Sequence, residues 1–99
     1  MYAVIFKAKS GTQDGQYADM VRLMREVAFR QYHCVDFIAL TEGDQEIAIS
    51  YWKTKEDVER WHEDIQHVMA QRLGQEKWYQ SYSVEIAKIE KNYCFPKEQ

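Results

Sequence analysis

The segment CVDFIALTEGDQEIAISYW, residues 34–52, contains the clearest sign of the architecture of this chain. It contains two short runs rich in β-branched and aromatic residues, CVDFIAL and EIAISYW, separated by the polar segment TEGDQ with its single Gly43. Runs of this kind form strands, and a short connection that contains a glycine is typical of a β-hairpin. The stretch therefore predicts two antiparallel strands in the middle of the chain.

A helical pattern lies on each side of this hairpin. Before it, apolar residues recur at helical spacing through residues 17–28, and Asp14 can cap the helix. After it, Thr54 can cap a second helix, and Gly74 is placed to end that helix in a left-handed conformation. The apolar stripe of the second helix consists of Val58, Trp61, Ile65, Val68 and Met69. Each helix is thus predicted to bury one face.

A strand is predicted at each end of the pattern. YAVIFKAK, residues 2–9, is apolar on both faces, and KWYQSYSVEIAKIEKNY, residues 77–93, alternates as one long strand. The resulting order βαββαβ predicts an α+β, ferredoxin-like fold, an antiparallel four-stranded sheet with the helices on one face. Because the first strand is apolar on both faces, we expect a homodimer in which the free sheet faces cover each other.

Length, charge and cysteines exclude several classes of protein. The 99 residues suffice for one domain, residues 1–99, in which about residues 94–99 are expected to form a loose tail. The net charge is −3 and the cations are dispersed, so nucleic acid is not an expected partner. Cys34 and Cys94 have no zinc-like spacing, so we expect free thiols and no metal site.

Hydropathy predicts a cytoplasmic protein that does not interact with a membrane. No apolar run approaches the ~20 residues of a membrane span, and the N-terminus lacks an export signal. Aromatic residues make up 14% of the chain, more than a small core usually needs. Some of them are therefore expected to line a cavity or an interface.

The second helix carries the residues of chemical interest. Trp61 is either a packing anchor or one wall of a ligand pocket, and the two roles are compatible. His62 lies about 100° from it around the helix and is expected at the surface or its boundary. The imidazole of His67 could remove a proton from a phenol or quinol, but on a straight helix it would face water. Its entry into a pocket would need a kink near residues 64–66.

The second half of the chain resembles the antibiotic biosynthesis monooxygenase (ABM) domain family, in particular a small uncharacterised bacterial branch of it. The similarity is carried by ISYW, the helix with Trp61 and His67, then Gly74, the pair WY at residues 78–79 and a long last strand. After the first helix, where the family often has a Pro-Gly-aromatic turn, this chain has Tyr-His-Cys at residues 32–34. The resemblance implies a dimeric α+β barrel with a small-molecule cavity in each subunit.

The resemblance also implies candidate site residues and activities. By position, His67 and Trp61 match the helix histidine and pocket tryptophan of the family, and we predict them as catalytic residues. The aromatic residues that we expect to contact a substrate are Phe6, Tyr51, Trp52 and Tyr82. Characterised members oxygenate polyphenols with O2 and without metal or flavin, or else bind and open haem. We therefore expect a cofactor-independent monooxygenase that acts on a small aromatic or quinol-type molecule.

Two alternatives remain at this point. One is a non-catalytic dimeric module that binds a small ligand in the same cavity. The other is a haem-binding or haem-degrading protein. The haem-degrading branch uses an asparagine in the first strand, where this chain has Phe6 and Lys7. We therefore expect no cofactor, with haem disfavoured.

Overall fold

Four strands and two helices alternate along the chain in the computed structural model, which describes residues 1–11, 15–71 and 79–96. Side chains are described within these ranges except at residues 15–18, 20, 21 and 66–71. The elements are β1 (Tyr2–Ser10), α1 (Gly15–Gln31), β2 (Asp36–Glu42), β3 (Gln45–Trp52), α2 (Lys55–Gln71) and β4 (Tyr79–Lys88). This is the βαββαβ order that the sequence predicts.

The strands form one antiparallel sheet in the order β2-β3-β1-β4. β1 pairs with β3 on one side and β4 on the other, so that Val4 lies opposite both Ser50 and Ile86. β1 is therefore a central strand with a hydrogen-bonded neighbour on each edge. The predicted α+β, ferredoxin-like fold is thereby confirmed.

The hairpin between β2 and β3 is tighter than the sequence suggests. Glu42 and Gln45 still pair, which leaves Gly43 and Asp44 as a two-residue turn in place of the predicted five-residue connection. Gly43 has a φ of 60°, a left-handed conformation that glycine adopts without steric cost. The Ser10 N–H donates to the Asp44 carbonyl at 2.8 Å, which ties the turn to the end of β1.

The core lies between one face of the sheet, here called the helix face, and the two helices. In α2, the Asp57 N–H donates to Thr54 Oγ1 at 3.1 Å, which confirms the predicted cap. Val58, Trp61 and Ile65 of the predicted stripe are buried in the core. The side chains of Val68 and Met69, together with Asp14 and Gly74, lie outside the described residues. No helix within the described ranges is long and apolar enough to cross a membrane.

The end of α1 is fastened to α2. His33 has a φ of 64°, the conformation that glycine often supplies after a helix. The Cys34 N–H donates back to the Ala28 carbonyl at 3.0 Å. The Tyr32 hydroxyl donates to Asp64 Oδ2 of α2 at 3.0 Å, and this hydrogen bond raises the pKa of Tyr32. The Tyr32–Asp64 hydrogen bond therefore links the end of α1 to α2.

The opposite face of the sheet, here called the outer face, is apolar and exposed. Cross-strand pairing places a row of three isoleucines there, Ile38, Ile49 and Ile5, beside a second row that contains Leu40 and Ile47. Ile38 is 46% exposed, Leu40 71% and Ile47 38%. Within the described part of the chain, both helices pack on the other side. The outer face is a large apolar patch for a protein of this size.

The two cysteine thiols differ in reactivity. Cys34 is buried and its Sγ–H donates to the Asp36 carbonyl at 3.2 Å, whereas Cys94 is exposed. Burial raises the pKa of the Cys34 thiol, which lowers the fraction of reactive thiolate. At about pH 8 we expect iodoacetamide to label Cys94 in the native protein and Cys34 after unfolding in urea. A Cys94→Ser variant should resist labelling until urea is added; rapid labelling of that native variant would contradict the buried position of Cys34.

Candidate functional site

A cavity of about 110 Å³ lies between the helix face and the two helices, near the end of the sheet that carries the β2–β3 hairpin. All four strands and both helices contribute to its walls. Representative lining residues, one from each element, are Phe6, Met24, Phe37, Ala48, Trp61 and Val84. Most of the lining is apolar. An engineered apolar cavity of roughly 150 Å³ holds benzene, so this cavity is on the scale of one aromatic ring.

Trp61 forms one wall of the cavity and also anchors α2. Its ring centroid lies 5.1 Å from that of Trp52 and 6.3 Å from that of Phe37, the latter at an interplanar angle of 82°. Its indole N–H donates to the Met24 carbonyl of α1 at 3.2 Å. Edge-to-face packing and a satisfied N–H fix the orientation of the indole. The structural and ligand-facing roles predicted for Trp61 are therefore geometrically compatible.

A second aromatic wall is formed by Phe6, Tyr79 and Tyr82. The centroid of Phe6 lies 5.4 Å from that of Tyr79 and 5.7 Å from that of Tyr82, and the two tyrosines are 5.9 Å apart. Residues three apart in a regular strand point to opposite faces. Here the register shifts between Lys9 and Ser10, which adds a residue on β4 and lets both tyrosines reach the cavity.

Besides the hydroxyls of Tyr79 and Tyr82, the described lining has polar groups from Glu46, His62 and Thr41. Glu46 and His62 are both half-buried. Sequence reasoning did not select Glu46, and it placed His62 at the surface or boundary. The signal for Glu46 was strand alternation, because it shares a face of β3 with the buried Ser50 and Trp52.

The structure brings together three of the six predicted site residues. Phe6, Trp61 and Tyr82 line the cavity. Trp52 is fully buried beneath Trp61, and its indole N–H donates to Ser50 Oγ at 2.8 Å. Tyr51 is its neighbour in β3 and therefore belongs to the outer face. The side chain of His67 lies outside the described residues, although its backbone is part of the continuous helix α2.

Among the described side chains, no group of three or more His, Cys, Asp or Glu residues could hold a metal ion.

Comparison with known structures gives the class of fold. The chain is similar to SnoaB, a cofactor-independent oxygenase from Streptomyces nogalater, with a TM-score of 0.73 and 10% identity over 92% of this chain and 94% of that one. It is also similar to a solved antibiotic biosynthesis monooxygenase, with a TM-score of 0.60 and 16% identity over 90% of this chain and 98% of that one. No family model matches the chain. The fold is therefore that of the ABM proteins, as the sequence resemblance implied.

A curated relative identifies the family. The chain is 30% identical over 95 residues to YqjZ, an uncharacterised protein of Bacillus subtilis strain 168, and the match covers 95% of this chain and 83% of that protein. The chain belongs to the family of YqjZ. It is a small α+β domain with a cavity between its sheet and its helices.

Proposed function

We propose that this protein binds a small aromatic or quinol-type molecule in the cavity beside Trp61 and oxygenates it with O2 without a cofactor. The observation that carries the proposal is the one-ring cavity between the wall formed by Trp61 and the wall formed by Phe6, Tyr79 and Tyr82. Two aromatic walls favour a flat apolar ligand. The fold that it shares with SnoaB, described as a cofactor-independent oxygenase, supports the choice of reaction.

A quinol can supply all the electrons that such a reaction needs. Hydroquinone and one O2 give hydroxybenzoquinone and one water, so that one oxygen atom enters the ring and the other leaves as water. Removal of a phenolic proton makes the ring a better electron donor to O2. The protein then needs to bind the ring, exclude water and accept the proton.

An imidazole of α2 is the proposed proton acceptor. The resemblance assigns this role to His67, and we retain it as a candidate. His62 is a second candidate because it lines the cavity, next to Trp61 in the chain. Histidine suits the task because its unperturbed pKa lies near neutrality. Trp61 is proposed to hold the ring in place for the transfer.

Oxygen uptake with hydroquinone tests this proposal. We expect the protein to consume O2 faster than the solution without protein. If His67 or His62 is the base, its replacement by alanine should lower this rate by at least about tenfold. Trp61→Phe, which preserves an aromatic wall, should lower the rate less. Catalase separates the reaction from autoxidation, because autoxidation yields H2O2 and catalase returns half of the O2 consumed, whereas oxygenation to water returns none.

The outcome also decides between an enzyme and a binding module. No uptake above the background, together with saturable binding of hydroquinone, would contradict catalysis and favour a non-catalytic ligand-binding protein. Unchanged rates in all three variants would contradict the proposed site. Glu59→Gln is a suitable control because Glu59 is exposed on α2 and is not among the residues that line the cavity.

We further propose that the chain forms a homodimer through the outer face. Ile38, Leu40 and Ile47 expose apolar side chains on the strands of this face, and Leu40 and Ile47 also border the cavity at the hairpin end. Exposed apolar patches usually mark interfaces. Lys7 and Glu85 form an ion pair of 3.5 Å near its border, typical of the polar rim of an interface. Two copies packed sheet to sheet would bury the apolar rows of both.

A further inference from the structure

Arg25 of α1 contacts Phe37, the aromatic side chain that β2 contributes to the cavity lining. The Arg25 Nη1 donates to the Phe37 carbonyl at 3.2 Å. The Cζ atom of Arg25 also lies 5.6 Å from the centroid of the Phe37 ring and 5.6 Å from that of Phe29, one helical turn further along α1. One side chain therefore contacts both the backbone and the ring of Phe37.

Phe37 lies on an edge strand, where its position depends on side-chain contacts. Among the described strands, β2 is at one end of the sheet order β2-β3-β1-β4. Backbone groups that point away from the sheet at such an edge have no neighbouring strand to bond. The Phe37 N–H donates to Asp36 Oδ1 at 2.8 Å, and the Phe37 carbonyl accepts from Arg25. Side chains thus hold the backbone of Phe37 at this edge.

The same turn of α1 also holds Trp61. The Met24 carbonyl, next to Arg25 in the chain, accepts the hydrogen bond of the Trp61 indole at 3.2 Å. The rings of Phe37 and Trp61 meet edge to face, and both line the cavity. A cation over one face and an aromatic partner at the edge restrict how a ring can turn. Two adjacent residues of α1 therefore fix two rings of the lining.

The contacts of Arg25 depend on the shape of the guanidinium as well as on its charge. A planar guanidinium can lie against an aromatic ring while one of its N–H groups donates to a nearby carbonyl. Lysine has the charge but not the planar group, and glutamine has a planar amide without the charge. Arg25 itself is exposed, so its influence on a ligand would pass through Phe37.

We propose that Arg25 is a positioning residue of the ligand site: it holds the Phe37 ring against Trp61 and so keeps this part of the cavity wall in place before a ligand binds. This inference rests on the ligand-binding part of the proposed function. It does not depend on whether the bound ring is oxygenated. A wall that is ordered in advance spares the ligand the cost of ordering it, so affinity depends on Arg25.

Calorimetric titration with hydroquinone under anaerobic conditions tests the proposal. Arg25→Gln and Arg25→Lys should each raise the Kd of hydroquinone by about fivefold or more, because neither side chain supplies a planar cation to Phe37. Arg22→Gln is the matched control. Arg22 is exposed on the same helix and pairs with Asp19 of that helix, and its substitution changes the net charge equally. It should leave the Kd unchanged.

A double-mutant cycle separates positioning from a general loss of stability. Phe37→Leu removes the ring that Arg25 is proposed to position and keeps an apolar side chain. In that background, Arg25→Gln should change the Kd by less than about twofold. A contact that served stability alone would lower the melting temperature in both backgrounds and leave the Kd of the folded protein unchanged. Thermal unfolding verifies that each protein is folded at the temperature of the titration.

The outcomes separate this inference from the proposed function. An unchanged Kd in Arg25→Gln, the same rise in Arg22→Gln, or equal effects of Arg25→Gln in both backgrounds would overturn the positioning role and leave the cavity as a ligand site. Failure of the wild-type protein to bind hydroquinone would overturn the ligand site as well. A rise in Kd that disappears in the Phe37→Leu background supports the proposal, even if no oxygen is consumed.

Discussion

Replacing Trp61 by alanine will lower the free energy of unfolding by about 3–5 kcal/mol, the usual cost of removing a large buried aromatic side chain. Trp61 is 9% exposed and its ring packs on Trp52 and Phe37. The substitution also leaves the Met24 carbonyl without its indole donor. The free energy of unfolding of a native protein is about 5–15 kcal/mol, so the loss would be a large share of the stability. Urea unfolding followed by far-UV circular dichroism measures the loss.

Two further variants serve as comparisons for Trp61→Ala. Trp61→Phe keeps an aromatic ring and loses the hydrogen bond to the Met24 carbonyl, so it should cost less than the alanine variant. Phe95→Ala removes an aromatic ring that is 99% exposed and should change the stability by no more than about 0.5 kcal/mol. A Trp61→Ala protein as stable as the Phe95→Ala protein would contradict the anchoring role of the indole.

Replacing Ile38 by aspartate will convert the proposed dimer to monomers. Ile38 lies in the isoleucine row of the outer face and is 46% exposed in a single copy. In a sheet-to-sheet dimer the aspartate would be a buried carboxylate without a cationic partner. Because the dimer is twofold symmetric, each subunit would bury one such carboxylate. A cost of a few kcal/mol raises the dimer Kd by about 100-fold or more. Light scattering across a dilution series measures the change in mass.

Ile86→Asp provides a closely matched control for this experiment. Ile86 is 47% exposed, almost the same as Ile38, but it lies opposite Val4 on the helix face of the same sheet. The same substitution there should leave the dimer intact. A wild-type protein that is monomeric at micromolar concentration would contradict the proposed assembly, and so would equal dissociation in both variants.

The sequence predicted the fold because its local signals agree with one another. The apolar run of β1, the alternation of β4, the glycine of the hairpin and the apolar stripe of α2 all favour the same arrangement of a sheet with helices on one face. The length of the hairpin turn was misjudged, because Thr41 and Glu42 are polar yet continue the β2 ladder. Polar residues at the end of a hairpin can pair as strand as readily as they can form a loop.

The site was harder to predict than the fold. Phe6, Trp61 and Tyr82 could be chosen from their aromatic character, but Tyr51 and Trp52 are adjacent in a strand and so point to opposite faces. Tyr79 points into the cavity because of the register shift in β4, and no local sequence pattern predicts that shift. Glu46 reaches the cavity because β3 also lies beside β1, a long-range pairing.

NMR can show whether the cavity beside Trp61 holds a small aromatic ring. Hydroquinone is added anaerobically to ¹⁵N-labelled protein and the indole N–H resonances are followed, with Trp61→Phe used to assign the Trp61 signal. We predict a saturable shift of the Trp61 resonance, because its ring lines the cavity. An unmoved Trp61 signal at concentrations that shift resonances of the outer face would contradict the claim.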